Sequence, residues 1–230
     1  GEFRWARFFG HDTPDYASGL VIDSEDNIYI TGFLFFGNVI THVGDTIFQP
    51  NPTMGKYDFI AKLDTAGHTV WVSLPGPEHY QNPIQYPHFR FLKIEVDSEG
   101  NPNVLARFLG ACPYGSFSIP DSGHYVMKFS RIDGELLDIN RLAYIDKGVG
   151  FYHSFLWTMD NSDDNHYLCI KGNAAGIIIG GDTLKDQAGG LPLDHFILAR
   201  FDPQGNYLWH TVVSGIHNST TNYYNSIWGK

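Results

Sequence analysis

The chain has 230 residues, 43% hydrophobic and only 17% charged, which excludes a disordered or collagen-like polypeptide and allows a core that needs no metal or disulfide. Its 15 Lys and Arg against 25 Asp and Glu give a formal charge of −10, which argues against nucleic acid and anionic membrane surfaces as partners. The 25 Gly, 13 Tyr and 17 Phe, with Val, Ile and Thr in short runs, predict an all-β fold.

The start, Gly1, Glu2, Phe3, Arg4 and Trp5, enters directly into what reads as a strand and is not expected to be a signal peptide, so the chain reads as a processed or excised segment. Trp5-Ala-Arg-Phe-Phe-Gly10 resembles the material around Trp71 and Trp209. Next come Tyr16-Ala-Ser-Gly-Leu20 and Val21-Ile22, and then Asp23-Ser-Glu-Asp-Asn27, whose side chains suit a tight turn and tolerate left-handed backbone. Ile28-Tyr-Ile-Thr-Gly32 returns as the second strand of a hairpin. Phe33 to Lys56, rich in Gly, Pro and Asn, reads as an insertion or an extended hairpin. Asp58-Phe-Ile-Ala-Lys62-Leu-Asp64 follows as a strand, and Asp64-Thr-Ala-Gly67 turns it back toward Val70-Trp71 with a glycine where positive φ is wanted.

The same order recurs. The second copy has Asp97-Ser-Glu-Gly-Asn101, an insertion from Leu109 to His124, Tyr125-Val-Met-Lys-Phe129 and Gly134. Its second strand is Pro102-Asn103-Val104-Leu105, and Asp138 takes the place of the closing Trp. The third has Asn161-Ser-Asp-Asp-Asn165 with Tyr167, then Phe196-Ile-Leu-Ala-Arg200-Phe-Asp202, Gly205 and Trp209. Tyr224-Asn-Ser-Ile-Trp228 resembles Tyr16 to Leu20 and opens another copy. The period is about 70 residues, so the chain divides into repeats at 5–71, 72–138 and 139–209 with the start of a fourth at 210–230. Four strands per copy, repeated along one chain, are the sequence form of a β-propeller: about three antiparallel blades, with partial blades at both ends. A solenoid, whose coils repeat on roughly 20 to 30 residues, fits the period less well.

This order, from Asp23 through Asn27 and Gly32 to Lys62, Asp64, Gly67 and Trp71, resembles the seven-bladed β-propeller repeat of bacterial secreted and cell-surface proteins. In that family such repeats often precede a sorting domain of type IX secretion. The resemblance implies an extracellular or cell-surface scaffold, and it carries no catalytic signature to transfer. Three blades leave a ring open: either further blades complete it or copies of the chain associate.

Searches for chemistry give no catalytic residue, no metal ligand set and no cofactor site. Most acids fall in turn motifs rather than as a pair for glycoside hydrolysis. Asp23 to Asn27, and Asp160, Asp163 and Asp164 with Asn161 and Asn165, superficially match a calcium loop but lack its glycine and its bidentate Glu. The 11 histidines, among them His11, His42, His79, His153 and His217, stand singly. Cys112 and Cys169 are expected as separate buried thiols, and Cys112 has no activating neighbour. Gly180-Gly181 and Gly189-Gly190 lack a phosphate-binding frame, and the sequon Asn218-Ser-Thr220 is expected to be idle. No apolar run reaches the roughly 20 residues of a membrane span.

Aromatic residues are the remaining feature. Tyr80, Tyr86, Phe89, Phe91, Tyr152, Phe155, Trp157, Tyr223, Tyr224 and Trp228 precede the Asp turns and are expected to fill seams between blades, with stacking on sugars or peptide as the second reading. The sequence thus points to a non-enzymatic scaffold or binding module with a glycan or protein ligand. The alternative is a polysaccharide hydrolase or lyase with its site at the propeller axis.

Overall fold

The computed structural model describes residues 2, 4–10, 15–35, 41–48, 56–74, 89–114, 116–145, 154–172, 177–180, 182–184 and 195–214. These residues are all-β, with no helix among them. The strands are β1 (Phe9–Gly10), β2 (Tyr16–Ile22), β3 (Ile28–Phe35), β4 (Thr41–Val43), β5 (Thr46–Phe48), β6 (Lys56–Leu63), β7 (Thr69–Ser73), β8 (Arg90–Val96), β9 (Pro102–Phe108) and β10 (Cys112–Tyr114). They continue as β11 (Phe117–Ile119), β12 (Gly123–Phe129), β13 (Leu136–Ile145), β14 (Ser154–Met159), β15 (His166–Gly172), β16 (Ile177–Ile179), β17 (Asp182–Leu184), β18 (His195–Phe201) and β19 (Tyr207–Ser214).

Three antiparallel meanders carry the fold, in the orders β2-β3-β6-β7, β8-β9-β12-β13 and β14-β15-β18-β19. Each loses a short hairpin between its second and third strands: β4–β5, β10–β11 and β16–β17. In two cases that hairpin reaches backward along the chain. β16 pairs with β13, extending the second sheet to six strands, and β4 pairs with β1 through Phe9↔Val43 and Gly10↔His42. The hairpin tip then lies on its own sheet's last strand, Gly44 against Thr69 and Gly180 against the Tyr207 ring. Each clasp therefore ties an outer strand to the one that follows it.

Four of the described turns obey one rule. Asp23 Oδ1 accepts from the amides of Glu25 and Asn27, Asp64 Oδ1 from Ala66 and His68, Asp97 Oδ1 from Glu99 and Asn101, and Asp202 Oδ1 from Gln204 and Asn206. A short carboxylate bonded to amides two and four residues on holds the chain in the turn without help from elsewhere. The third inner turn differs from the sequence expectation. Its capping acid is Asp160, not Asn161, and the loop to Asn165 is one residue longer, because Ser162 donates to Asp160 through both amide and hydroxyl.

The three meanders pack on one another through two apolar layers, and a third cluster of Leu34, Val43, Phe59 and Ala61 joins β4 to the first. Tyr29, Ile60 and Trp71 meet Phe91, Val104, Phe108, Met127 and Phe129 between the first and second sheets. Leu105, Val126 and Leu142 meet Trp157, Leu168, Ile197 and Phe201 between the second and third. A more specific lock repeats along the array. The Trp71 indole N–H donates to the Arg131 carbonyl at 3.2 Å, and its ring covers the Gly134 turn so closely that a Cβ there would lie 2.6 Å from ring carbon. Trp5 does the same one repeat earlier, donating to the Thr65 carbonyl and covering Gly67. With φ of 79° and 75°, Gly67 and Gly134 are needed both for the left-handed turn and for the ring's approach. Asp138 faces Lys128 as Trp71 faces Lys62 and Trp209 faces Arg200, so it stands at the missing tryptophan by register. It receives the Asn140 side-chain amide, and Asn140 covers Gly205 instead.

Candidate functional site

The Asp turns occupy one end of the sheets, and the hairpins leave from the other. At the hairpin end β2 opens with Tyr16 and β8 with Arg90, and register places Tyr16 opposite Phe33 and Arg90 opposite Arg107. Tyr16 is exposed and stacks on Phe33 with ring centroids 4.8 Å apart, while the Arg90 guanidinium sits 4.7 Å from the same ring. One buried phenyl ring thus supports an exposed phenol and an exposed cation across the seam between two sheets.

Arg90 and Arg107 are cross-strand partners of like charge, an arrangement that costs stability in a sheet. No carboxylate pairs with either among the described residues, and Arg107 Nε is buried without a hydrogen bond. Burial first, and Arg90 second, pull the Arg107 guanidinium below its ordinary value. In a chain of net charge −10 this is a positive spot beside an exposed aromatic ring, with no salt bridge to either arginine among the described residues. An exposed guanidinium beside an aromatic face can bond a carboxylate while the ring takes an apolar surface.

The sequence candidates sort as follows. The turn acids are engaged with turn amides, and among the described residues no group of three His, Cys, Asp or Glu could hold a metal. Phe89, Phe91 and Trp157 are buried in the seams. Tyr80, Tyr86, Tyr152, Tyr223, Tyr224 and Trp228 lie outside the described residues, as do His11, His79, His153, His217, Gly189-Gly190 and the sequon at Asn218. His42 lies on β4, paired with Gly10 and Ile47, and Gly180 forms the tip of the third hairpin. Cys169 is unbonded and partly buried, and burial pushes its thiol up, which makes it a poor nucleophile. Arg90 and Arg107 escape a linear reading because they stand far apart in sequence and meet only by strand pairing. The usable signal is an arginine at the outset of one predicted strand and at the far end of its hairpin partner.

No protein-family model matches the chain, and no curated protein is similar to it.

Proposed function

We propose that this chain is a non-enzymatic segment of a β-propeller, part of an extracellular bacterial scaffold or binding module whose ligand docks at the hairpin end. The observation that carries the reading is the Tyr16, Arg90 and Arg107 spot, where an exposed phenol and an exposed cation share one buried phenyl ring. The propeller reading is supported by three consecutive meanders whose first strands lie beside one another, β2 against β8 and β8 against β14. The secreted setting rests on the resemblance of the repeat alone.

The ligand class follows from the donors. A carboxylate-bearing glycan offers an anion for the arginines and an apolar sugar face for Tyr16. Titration calorimetry of the chain with oligogalacturonate tests this, with the neutral oligosaccharide of equal length and an acidic peptide as the other arms. Binding of the acidic sugar is expected to fall at least tenfold in Arg90→Ala and in Tyr16→Ala, both exposed positions. Binding of the peptide alone moves the ligand to protein, and equal heats with parent and variants remove the site.

A further inference from the structure

The two internal seams use the same register positions. On the trailing side of a sheet, the face turned to the next one, Ile60 of the first sheet and Val126 of the second are 0% and 3% exposed. Leu198 stands at that position in the third sheet, two residues before Arg200 as Ile60 stands two before Lys62, and it is 36% exposed. Its neighbours Leu156 and Trp209 are 59% and 39% exposed, whereas Trp71, equivalent to Trp209, is sealed over Gly134. The leading side shows the converse. Ile94 and Trp157 are each 2% exposed, while Leu20, at their position on β2, is 62% exposed. The chain thus carries both halves of a seam that it closes twice within itself.

We propose that the trailing face of the third sheet docks on the leading face of the first sheet of a second copy, head to tail, and that the segment Arg4–Gly10 restrains this docking. The restraint is geometric. Trp5 already occupies Gly67 and the Thr65 carbonyl, the place that Trp209 of the incoming copy would take, and Arg7 holds the Gly67 carbonyl at 2.6 Å. Inward of this strap, a concavity of about 520 Å³ is lined by Phe9, Tyr16, Leu20, Ile30 and Phe59, open where inner strands of a docked sheet would lie. The strap fills the place of the outer strand alone. A heterologous contact of this kind adds copies in one direction, and it closes into a ring only if the rotation allows.

Sedimentation equilibrium of the full chain tests the proposal with two exposed-site variants, Leu20→Glu and Leu198→Glu, each blocking one half of the seam. The parent is expected to associate reversibly at high concentration, and each variant alone to remain monomeric. An equimolar mixture is expected to form dimers and nothing larger, since one variant keeps the trailing face and the other the leading face. Trp5→Ala is expected to associate at least tenfold more tightly than the parent. A parent that stays monomeric up to millimolar chain, variants that associate as the parent does, or a mixture that forms no dimer each overturns the proposal, whatever the fold of Trp5→Ala.

Discussion

The acids at the turns of this chain are pulled in two directions, and their sum sets its response to pH. Burial pushes the Asp23 carboxyl up, but the Asn27 side chain and the amides of Asn27 and Glu25 outweigh it and hold the group below its ordinary 3.8. The Asp64 carboxyl is held low chiefly by the His68 amide, and that of Asp160 chiefly by the Ser162 hydroxyl. Their contribution is fully present above the ordinary carboxylate value and is lost as pH falls through it toward the folded one. His166 acts at a higher pH. It is buried beside the Trp157 ring, at a centroid distance of 5.9 Å, and burial lowers its pKa against the Pro203 carbonyl and the fields of Asp164, Asp202 and Asp97. The unfolded chain therefore binds a proton near the ordinary 6.5 that the folded chain refuses, and stability falls as pH drops below that value. Thermal melts from about pH 8 to about pH 5 are expected to show His166→Leu gaining on the parent as pH falls. A constant difference across that window would mean that His166 keeps its ordinary affinity for protons.

At the scale of elements, much of the fold was legible, because turn chemistry is local. Asp64-Thr-Ala-Gly67 and Asp202-Pro-Gln-Gly205 read as turns from residue types alone, and their glycines have φ of 79° and 77°. β9 holds its place although Pro102 replaces the apolar residue seen at Ile28, because Pro102 opens the strand opposite Val96, where φ near −65° suits it. The β16–β17 hairpin was not read: its strands are three residues long and are fixed by pairing with β13, a long-range contact without a local sign. The extra residue in the Asp160 turn has no sign of its own in the sequence, since Asp160 and Asn161 are adjacent residues of equal capping chemistry and the Ser162 bonds select the first. The Arg90 and Arg107 pair is a product of register, as any cross-strand site is. The clasp makes its own prediction. Gly180 has φ of 61°, and a Cβ there would lie 2.3 Å from the Tyr207 ring, so Gly180→Ala is expected to cost about 2 kcal/mol. It should also speed hydrogen exchange at β16, and an exchange pattern identical to the parent's would detach the hairpin from Tyr207.

For the whole molecule, the repeats cohere through contacts that cross from one sheet to the next. The Lys62 ammonium and the Trp71 indole both donate to the Arg131 carbonyl, Ser98 donates to Asp164 through amide and hydroxyl, and the Lys93 ammonium donates to the Trp157 carbonyl. Tyr29 adds a hydroxyl to the Gly100 carbonyl, and Arg131 lies 3.5 Å from Glu25. Apolar burial supplies most of the free energy of each seam, while these polar contacts fix its register. The tryptophan over the turn glycine does both, and it explains why the sequence repeats Gly and Trp four residues apart: within one copy the two residues serve opposite neighbours. Trp71 covers the glycine of the following copy, and Gly67 is covered from the preceding strand.

A double-mutant cycle at Trp71 and Gly134, followed by urea unfolding of the full chain, tests that lock most directly. Trp71→Ala is expected to cost about 4 kcal/mol, by loss of a buried ring. Gly134→Ala is expected to cost about 3 kcal/mol in the parent, from the left-handed backbone and the collision with the ring together. Once the ring is gone only the backbone part should remain, about 1 to 2 kcal/mol, so the pair should couple by about 1 kcal/mol or more. Costs that add to within about 0.3 kcal/mol would place Trp71 away from Gly134 and contradict the account of how successive repeats are joined.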